Sequence, residues 1–228
     1  MSGPSDLNPH PLSQKASKFL VSSALFLTLS SSATAEEPNG QAYGLTSSEF
    51  TKTTNYYSNY TLPIEWHWIN YIGPLEETIQ LEDGSYWTVS EDYASVMKLW
   101  QINEPIELTP NFFPFSSYPY YLTNKGRGES VRVKLKTGPY VGGYHTYTVY
   151  GLDFLTGHLI LQRVDEYGEL YLTTWCISSD NFYSFQNYWQ LGDAIILGNY
   201  PSWFSDYNIL MINLRLADQF KYFRVKPY

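Results

Sequence analysis

Four residues of this 228-residue chain have the types that nucleophilic catalysis requires: Cys176, His145, His158 and Asp153. A thiol is activated by a base within hydrogen-bond reach, and the base is oriented by a third group. Such groups meet in space, not in sequence, so a hydrolase with a site near His145, His158, Asp153 and Cys176 is one reading. Against it stands an internal correspondence that places Thr88 where another part of the chain has Cys176. A position that accepts Thr or Cys in equivalent frameworks points to packing. Metal chemistry finds no support in the spacing: no two histidines fall at i, i+2 or i, i+4, and Cys176 is the single cysteine. Neither a zinc set nor an intrachain disulfide framework is expected, and no cofactor motif occurs. His67, between Trp66 and Trp68, reads as a structural histidine. The carboxylate pairs Glu76-Glu77, Glu82-Asp83, Glu91-Asp92 and Asp165-Glu166 fall at expected turns and helix starts, where caps and solvated charge account for them.

Aromatic residues are the other candidates. Tyr (22), Phe (12) and Trp (7) make the chain 18% aromatic, against 16% charged residues. Two groups stand in loops among Pro and Ser: Phe112, Phe113, Phe115 and Tyr118, then Tyr200, Trp203, Phe204 and Tyr207. Loop aromatics give large amphipathic contact area at low entropic cost. Phe113, Phe115, Tyr118, Tyr200, Trp203 and Phe204 are therefore candidate binding residues for a protein or glycan. The alternative is that the two loops pack on each other across a seam.

The elements that must position these residues come as two similar sets. In the first, Glu77 to Leu81 and Tyr86 to Val89 alternate around Asp83-Gly84, a hairpin signal. Ile79, Leu81, Trp87 and Val89 share the inner face. Ser90-Glu91-Asp92 offers helix caps, and Tyr93, Val96, Met97 and Trp100 make one helical stripe. Tyr120 to Asn124 and Ser130 to Leu135 then pair around Lys125 to Gly128. In the second set, strands run over Thr146 to Leu155, Leu159 to Val164 and Leu170 to Ile177, and Phe182, Phe185 and Trp189 restore the stripe.

Trp100-Gln101-Ile102-Asn103-Glu104 is echoed by Trp189-Gln190-Leu191-Gly192-Asp193. Trp87 corresponds to Trp175, Tyr118 to Tyr207 and Asn124 to Asn213, at an offset of 88 or 89 residues. With one gap Asn111 matches Asn199, and Val131-Arg132-Val133 matches Phe220-Lys221-Tyr222. The prediction is a mainly β protein of two tandem, small, partly open barrel-like modules, residues 60–139 and 144–228, each with one short helix. Gly138-Pro139 and Gly142-Gly143 mark the boundary. Trp87, Trp100, Trp175 and Trp189 recur with the framework and are assigned to the core.

Residues 1–35 have the layout of a signal peptide: Lys15 and Lys18, an apolar run from Phe19 to Leu29, then Ala33-Thr34-Ala35. The run is too short to span a bilayer as a helix, which takes about 20 residues. A flexible leader, 36–58, and a glycosylation-type triplet at Asn59 follow. The expected location is periplasmic or extracellular. A net charge of −8 without basic runs argues against nucleic acid or anionic lipid as a partner, and no transmembrane helix is expected after signal cleavage. A membrane barrel is disfavoured because stepping back by two from Tyr228 would turn Lys226 and Arg224 to lipid.

Asp83-Gly84-Ser85-Tyr86-Trp87, a short helix ending in Trp, then Gly192-Asp193 and Ile195, resembles the small duplicated β-modules of uncharacterised exported bacterial proteins. The first set has Asn103-Glu104 in place of Gly-Asp; the second keeps only Trp175 of the opening. The resemblance implies an exported small β fold and carries no activity. The sequence thus points to a non-enzymatic exported binding protein, with the hydrolase and a structural protein that forms oligomers as alternatives.

Overall fold

The computed structural model describes residues 63, 65–75, 77–165 and 167–228. The export segment, the leader and Asn59 lie outside the described residues. The first six strands are β1 (Trp66–Ile72), β2 (Thr78–Leu81), β3 (Tyr86–Val89), β4 (Pro105–Pro110), β5 (Tyr120–Asn124) and β6 (Glu129–Thr137). The next six are β7 (Tyr147–Asp153), β8 (His158–Val164), β9 (Leu170–Ile177), β10 (Ala194–Asn199), β11 (Ile209–Asn213) and β12 (Phe223–Pro227). They form two antiparallel barrels with the same order, β1-β2-β3-β6-β5-β4 and β7-β8-β9-β12-β11-β10. Both close, through β1–β4 and β7–β10 pairing. Closure goes beyond the partly open modules expected, and it removes the unpaired sheet edges an open barrel would leave.

Each barrel has one short helix in the same place, α1 (Ala94–Met97) after β3 and α2 (Phe182–Tyr188) after β9. Their stripes bury Met97 and Trp100 in one barrel and Phe185 and Trp189 in the other. Ser90 and Ser178 precede the helices, but neither side chain caps. Their backbone N–H groups instead donate to the Arg132 and Arg224 carbonyls, each at 2.9 Å. The helix start is thereby tied to β6 or β12. Apolar side chains fill both interiors, Ile79, Leu81 and Trp87 in one and Leu159, Leu161 and Trp175 in the other. The exposed side of β6 carries Lys134 and Lys136.

Strand register corrects two of the expected correspondences. Ile106 pairs with Asn124 and Ile195 with Asn213, which aligns β4 with β10 without a gap and matches Asn111 to Tyr200. Likewise Arg132 corresponds to Arg224, both being carbonyl partners of the helix-leading serine. Phe220 to Tyr222 is therefore not the counterpart of Val131 to Val133. The cause is a 3-10 turn, Leu214–Leu216, that lengthens the β11–β12 connection relative to the tight turn at Lys125 to Gly128.

The barrels share a core at β4 and β10. Ile195, Leu197, Ile209 and Met211 face the second interior, whereas Ile196, Leu210 and Ile212 pack into the first core. Backbones approach closely here: a Cβ on Gly198 would lie 2.6 Å from the Leu108 carbonyl oxygen. His67 crosses the seam, with Nδ1 2.8 Å from Glu82 Oε1 and Nε2 2.8 Å from the Leu197 carbonyl. Asn199 Nδ2 donates to Glu107 Oε1 at 3.0 Å, and the Tyr120 hydroxyl donates to the Lys221 carbonyl.

Candidate functional site

The two aromatic loops leave β4 and β10, the strands that meet at the seam. The first, 111–119, is braced by its own polar residues. Asn111 Nδ2 donates to the Tyr118 carbonyl (2.9 Å), Asn111 Oδ1 accepts from Phe113 N (3.0 Å), and Ser116 Oγ accepts from Tyr118 N (3.1 Å). The second, 200–208, repeats part of this: Ser205 Oγ accepts from Tyr207 N (3.2 Å), and Tyr200 N donates to the Asn208 carbonyl (2.7 Å). Asn and Ser side chains that bond nearby backbone groups are the usual means of fixing such loops.

The large apolar side chains of both loops point out. Phe113 (62%), Phe115 (90%), Trp203 (95%) and Phe204 (101%) are exposed, while Tyr118 and Tyr200 are half-buried at the loop bases. The loops touch at their roots: the rings of Phe112 and Tyr200 meet edge to face with centroids 5.6 Å apart. Packing across the seam therefore involves Phe112, which stays 58% exposed, and Tyr200, and leaves the four tips exposed.

A cation stands over each basal tyrosine. Lys134 Nζ lies 5.6 Å from the Tyr118 ring centroid, Lys226 Nζ 5.1 Å from that of Tyr207, and the Arg224 guanidinium 5.4 Å from that of Tyr200. Lys134, Lys136 and Lys221 line a cleft of about 380 Å³ whose rim includes Ser117 and Pro119 of the first loop. Burial raises the Tyr222 hydroxyl, beside Tyr200, to about 12, with Tyr200 adding to the effect. Sequence reasoning missed the lysines. The signal available was the alternation Arg132, Lys134, Lys136 and Arg224, Lys226, which places the charges on the outward face of β6 and β12.

The residues of the hydrolase reading are partly brought together. Asp153 Oδ2 accepts from Thr156 Oγ1 at 2.6 Å, and that hydroxyl lies 2.7 Å from His158 Nδ1. Having donated to Asp153, the hydroxyl accepts from His158. Asp153 also accepts from Leu155 N and Thr156 N, and Gly157, at φ +75°, closes the β7–β8 turn. These are the bonds of an Asx-type turn. Thr156 holds the Asp153 carboxyl below its ordinary range, and burial holds His158 below its own. Cys176 is the cross-strand neighbour of His158. Burial raises its pKa, with Lys226 opposing weakly, so it is a thiol at neutral pH, not the nucleophilic thiolate. His145 lies apart, edge-on to Trp68 with centroids 5.4 Å apart. Neither the cleft above nor a second one of about 240 Å³ beside Arg163 is lined by Asp153, His158 or Cys176. Among the described residues no group of three His, Cys, Asp or Glu side chains is placed to hold a metal, and no helix is long and apolar enough to cross a membrane.

Each barrel also carries one buried polar cluster at the same place. Asn124 Nδ2 donates to Glu104 Oε2 (2.5 Å), and Asn213 Nδ2 to Asp193 Oδ2 (2.7 Å). Arg127 and Arg215 complete the clusters through Glu104 and Asp193. A left-handed residue, Asn103 or Gly192, precedes each acid. Trp87 and Trp175 each donate from the indole to a hydroxyl two residues back, Ser85 or Thr173, at 2.8 Å. All four framework Trp residues are buried. Comparison of the chain with family models, curated proteins and solved structures gives no match.

Proposed function

We propose that this chain is an exported, non-enzymatic binding protein whose contact surface is the pair of aromatic loops. One observation carries the reading: Phe113, Phe115, Trp203 and Phe204 are exposed on loops that are internally hydrogen-bonded and rooted together at Phe112 and Tyr200. Burying such side chains is worth about 1.5–3 kcal/mol each, so a partner that covers them gains that energy. The braced backbone lowers the ordering cost of contact. The signal-like layout of residues 1–35 supports a partner in the cell envelope or outside the cell.

The test is capture from a cell-envelope extract by the intact chain and by a Trp203→Ala, Phe115→Ala variant. Both residues are exposed and outside the cores, so the variant should melt as the parent does. Captured material should fall several-fold. Capture undiminished in a folded variant removes the loops from the binding role.

A further inference from the structure

Resting on that reading, we infer that the occupant of the loops is an anionic lipid surface. The Phe and Trp tips would enter the interface, and the lysines behind them would meet headgroup phosphates.

Three observations favour lipid over glycan or protein. Three of the four exposed tips, Phe113, Phe115 and Phe204, have no polar atom, and the fourth is Trp203. Tips that recognise hydrogen-bonding partners carry polar handles, whereas Phe and Trp on a protruding surface suit the headgroup–acyl boundary. Asn111, Ser116 and Ser205 bond inside the loops and hold the backbone, whereas Ser117, Asp206 and Asn208 are exposed at the loop flanks.

The second observation is charge at the right depth. Lys134 and Lys226 sit over the basal tyrosines, and Lys136 and Lys221 join Lys134 in the cleft behind the first loop. The acidic groups facing them are Asp206, 3.8 Å from Lys226, and Asp218 at the cleft. Three lysines therefore stand with Asp218 at the cleft, and Lys226 with Asp206 of the second loop, on a chain whose net charge is −8. The absence of basic runs in sequence argued against anionic partners; the fold gathers single lysines from β6, β12 and the β11–β12 connection. Aromatic insertion together with local basic charge is the two-part signal that gives stable, reversible surface attachment.

The third is bipartite geometry. The loops leave neighbouring strands and touch at Phe112 and Tyr200, so two apolar prongs share one root.

The test is co-sedimentation of the full chain with phosphatidylglycerol–phosphatidylcholine vesicles and with phosphatidylcholine vesicles. The parent should bind the anionic vesicles more tightly, and added salt should weaken binding. Trp203→Ala with Phe115→Ala should lower affinity at least about tenfold. Lys134→Glu with Lys221→Glu should abolish the preference for anionic vesicles. Acyl-brominated lipid should quench a part of the tryptophan emission that Trp203→Phe loses while still sedimenting. No binding by the parent, or binding that the loop variant leaves unchanged, overturns the proposal; the second outcome also covers attachment through the apolar run at Phe19 to Leu29. Loop-dependent capture from a delipidated envelope extract, alongside failure on vesicles, overturns the lipid assignment and leaves the loops as a binding surface. Loss of both overturns both.

Discussion

His67 lies within hydrogen-bond reach of two acceptors, the Glu82 carboxylate and the Leu197 carbonyl. A carbonyl cannot donate, so Nε2 must carry a proton, and with Nδ1 facing a carboxylate the ring is an imidazolium. Burial alone would lower its pKa, but Glu82, then Asp83 and the Leu197 carbonyl, outweigh burial and raise it to about 9. The folded value lies above the 6.5 of an unperturbed imidazole. The stabilisation is therefore complete below about pH 6.5 and is lost as pH rises through about 9. His158 has the opposite sign, because burial lowers its pKa; its effect falls below about pH 6.5, outside that window. Urea midpoints of the parent should decline between pH 6.5 and 9, and His67→Gln should flatten the decline. At pH 6 the variant should lose about 2–4 kcal/mol, because one buried acceptor loses its donor. A parent whose midpoint holds steady across that window would contradict the doubly donating ring.

At the scale of elements, the turn before β4 and the turn before β10 solve one problem with the same parts. A left-handed residue is followed by an acid that accepts from Gln101 N or Gln190 N, at 2.9 Å in each case. That acid also holds a fully buried Asn on the next strand and an Arg just beyond it. Burial would raise the Asp193 carboxyl, but Arg215, Asn213 and Gln190 N together lower it. Asn213→Ala leaves the buried Asp193 Oδ2, and Arg215 N at the edge of the site, each short of one partner. It should cost about 2–3 kcal/mol, as should Asn124→Ala. Asp92→Ala, which removes an exposed ion pair with Arg132, should cost less than about 1 kcal/mol. Equal costs in urea unfolding would show that the Asn clusters do not anchor the strands. These clusters explain why Trp-Gln-x-(Asn or Gly)-acid could be read in sequence: each position has a local duty that fixes its residue type. The hairpins, the helical stripes and the Trp framework were legible for the same reason. The lysine band was not, because the short basic alternations at Arg132 to Lys136 and Arg224 to Lys226 lie far apart in sequence, and Lys221 joins Lys134 and Lys136 only through the longer β11–β12 connection. The His67 bridge to Leu197 is equally non-local. The register of β12 was misjudged because an aromatic run, Phe220 to Phe223, offers several phases to a pattern match.

For the whole molecule the question is whether two barrels behave as one body. β4 alternates apolar and polar residues, Ile106, Glu107, Leu108 and Thr109, as a strand with one covered face should. β10 and β11 do not: Ala194 to Leu197 and Ile209 to Ile212 are apolar without a break. That pattern means burial on both faces, and the second face is the other barrel. Ile196, Leu210 and Ile212 belong to the first barrel's core, and a second barrel alone would present them to water at about 1.5–3 kcal/mol for each side chain. The barrels should therefore unfold in one cooperative transition, not two. Gly198 is where this coupling is most exposed to substitution. Its missing Cβ is what lets β10 approach the Leu108 carbonyl, and the neighbouring Leu210 methyl would lie 3.0 Å from it. Gly198→Val should drive the seam apart, strain the His67 bridge beside it and lower the melting temperature by several degrees. A buried core that parts first would turn the single transition into two, visible by calorimetry as a split endotherm. A parent that already shows two transitions, or a Gly198→Val variant that melts like the parent, would mean that the barrels are separable modules joined only at the 138–146 segment.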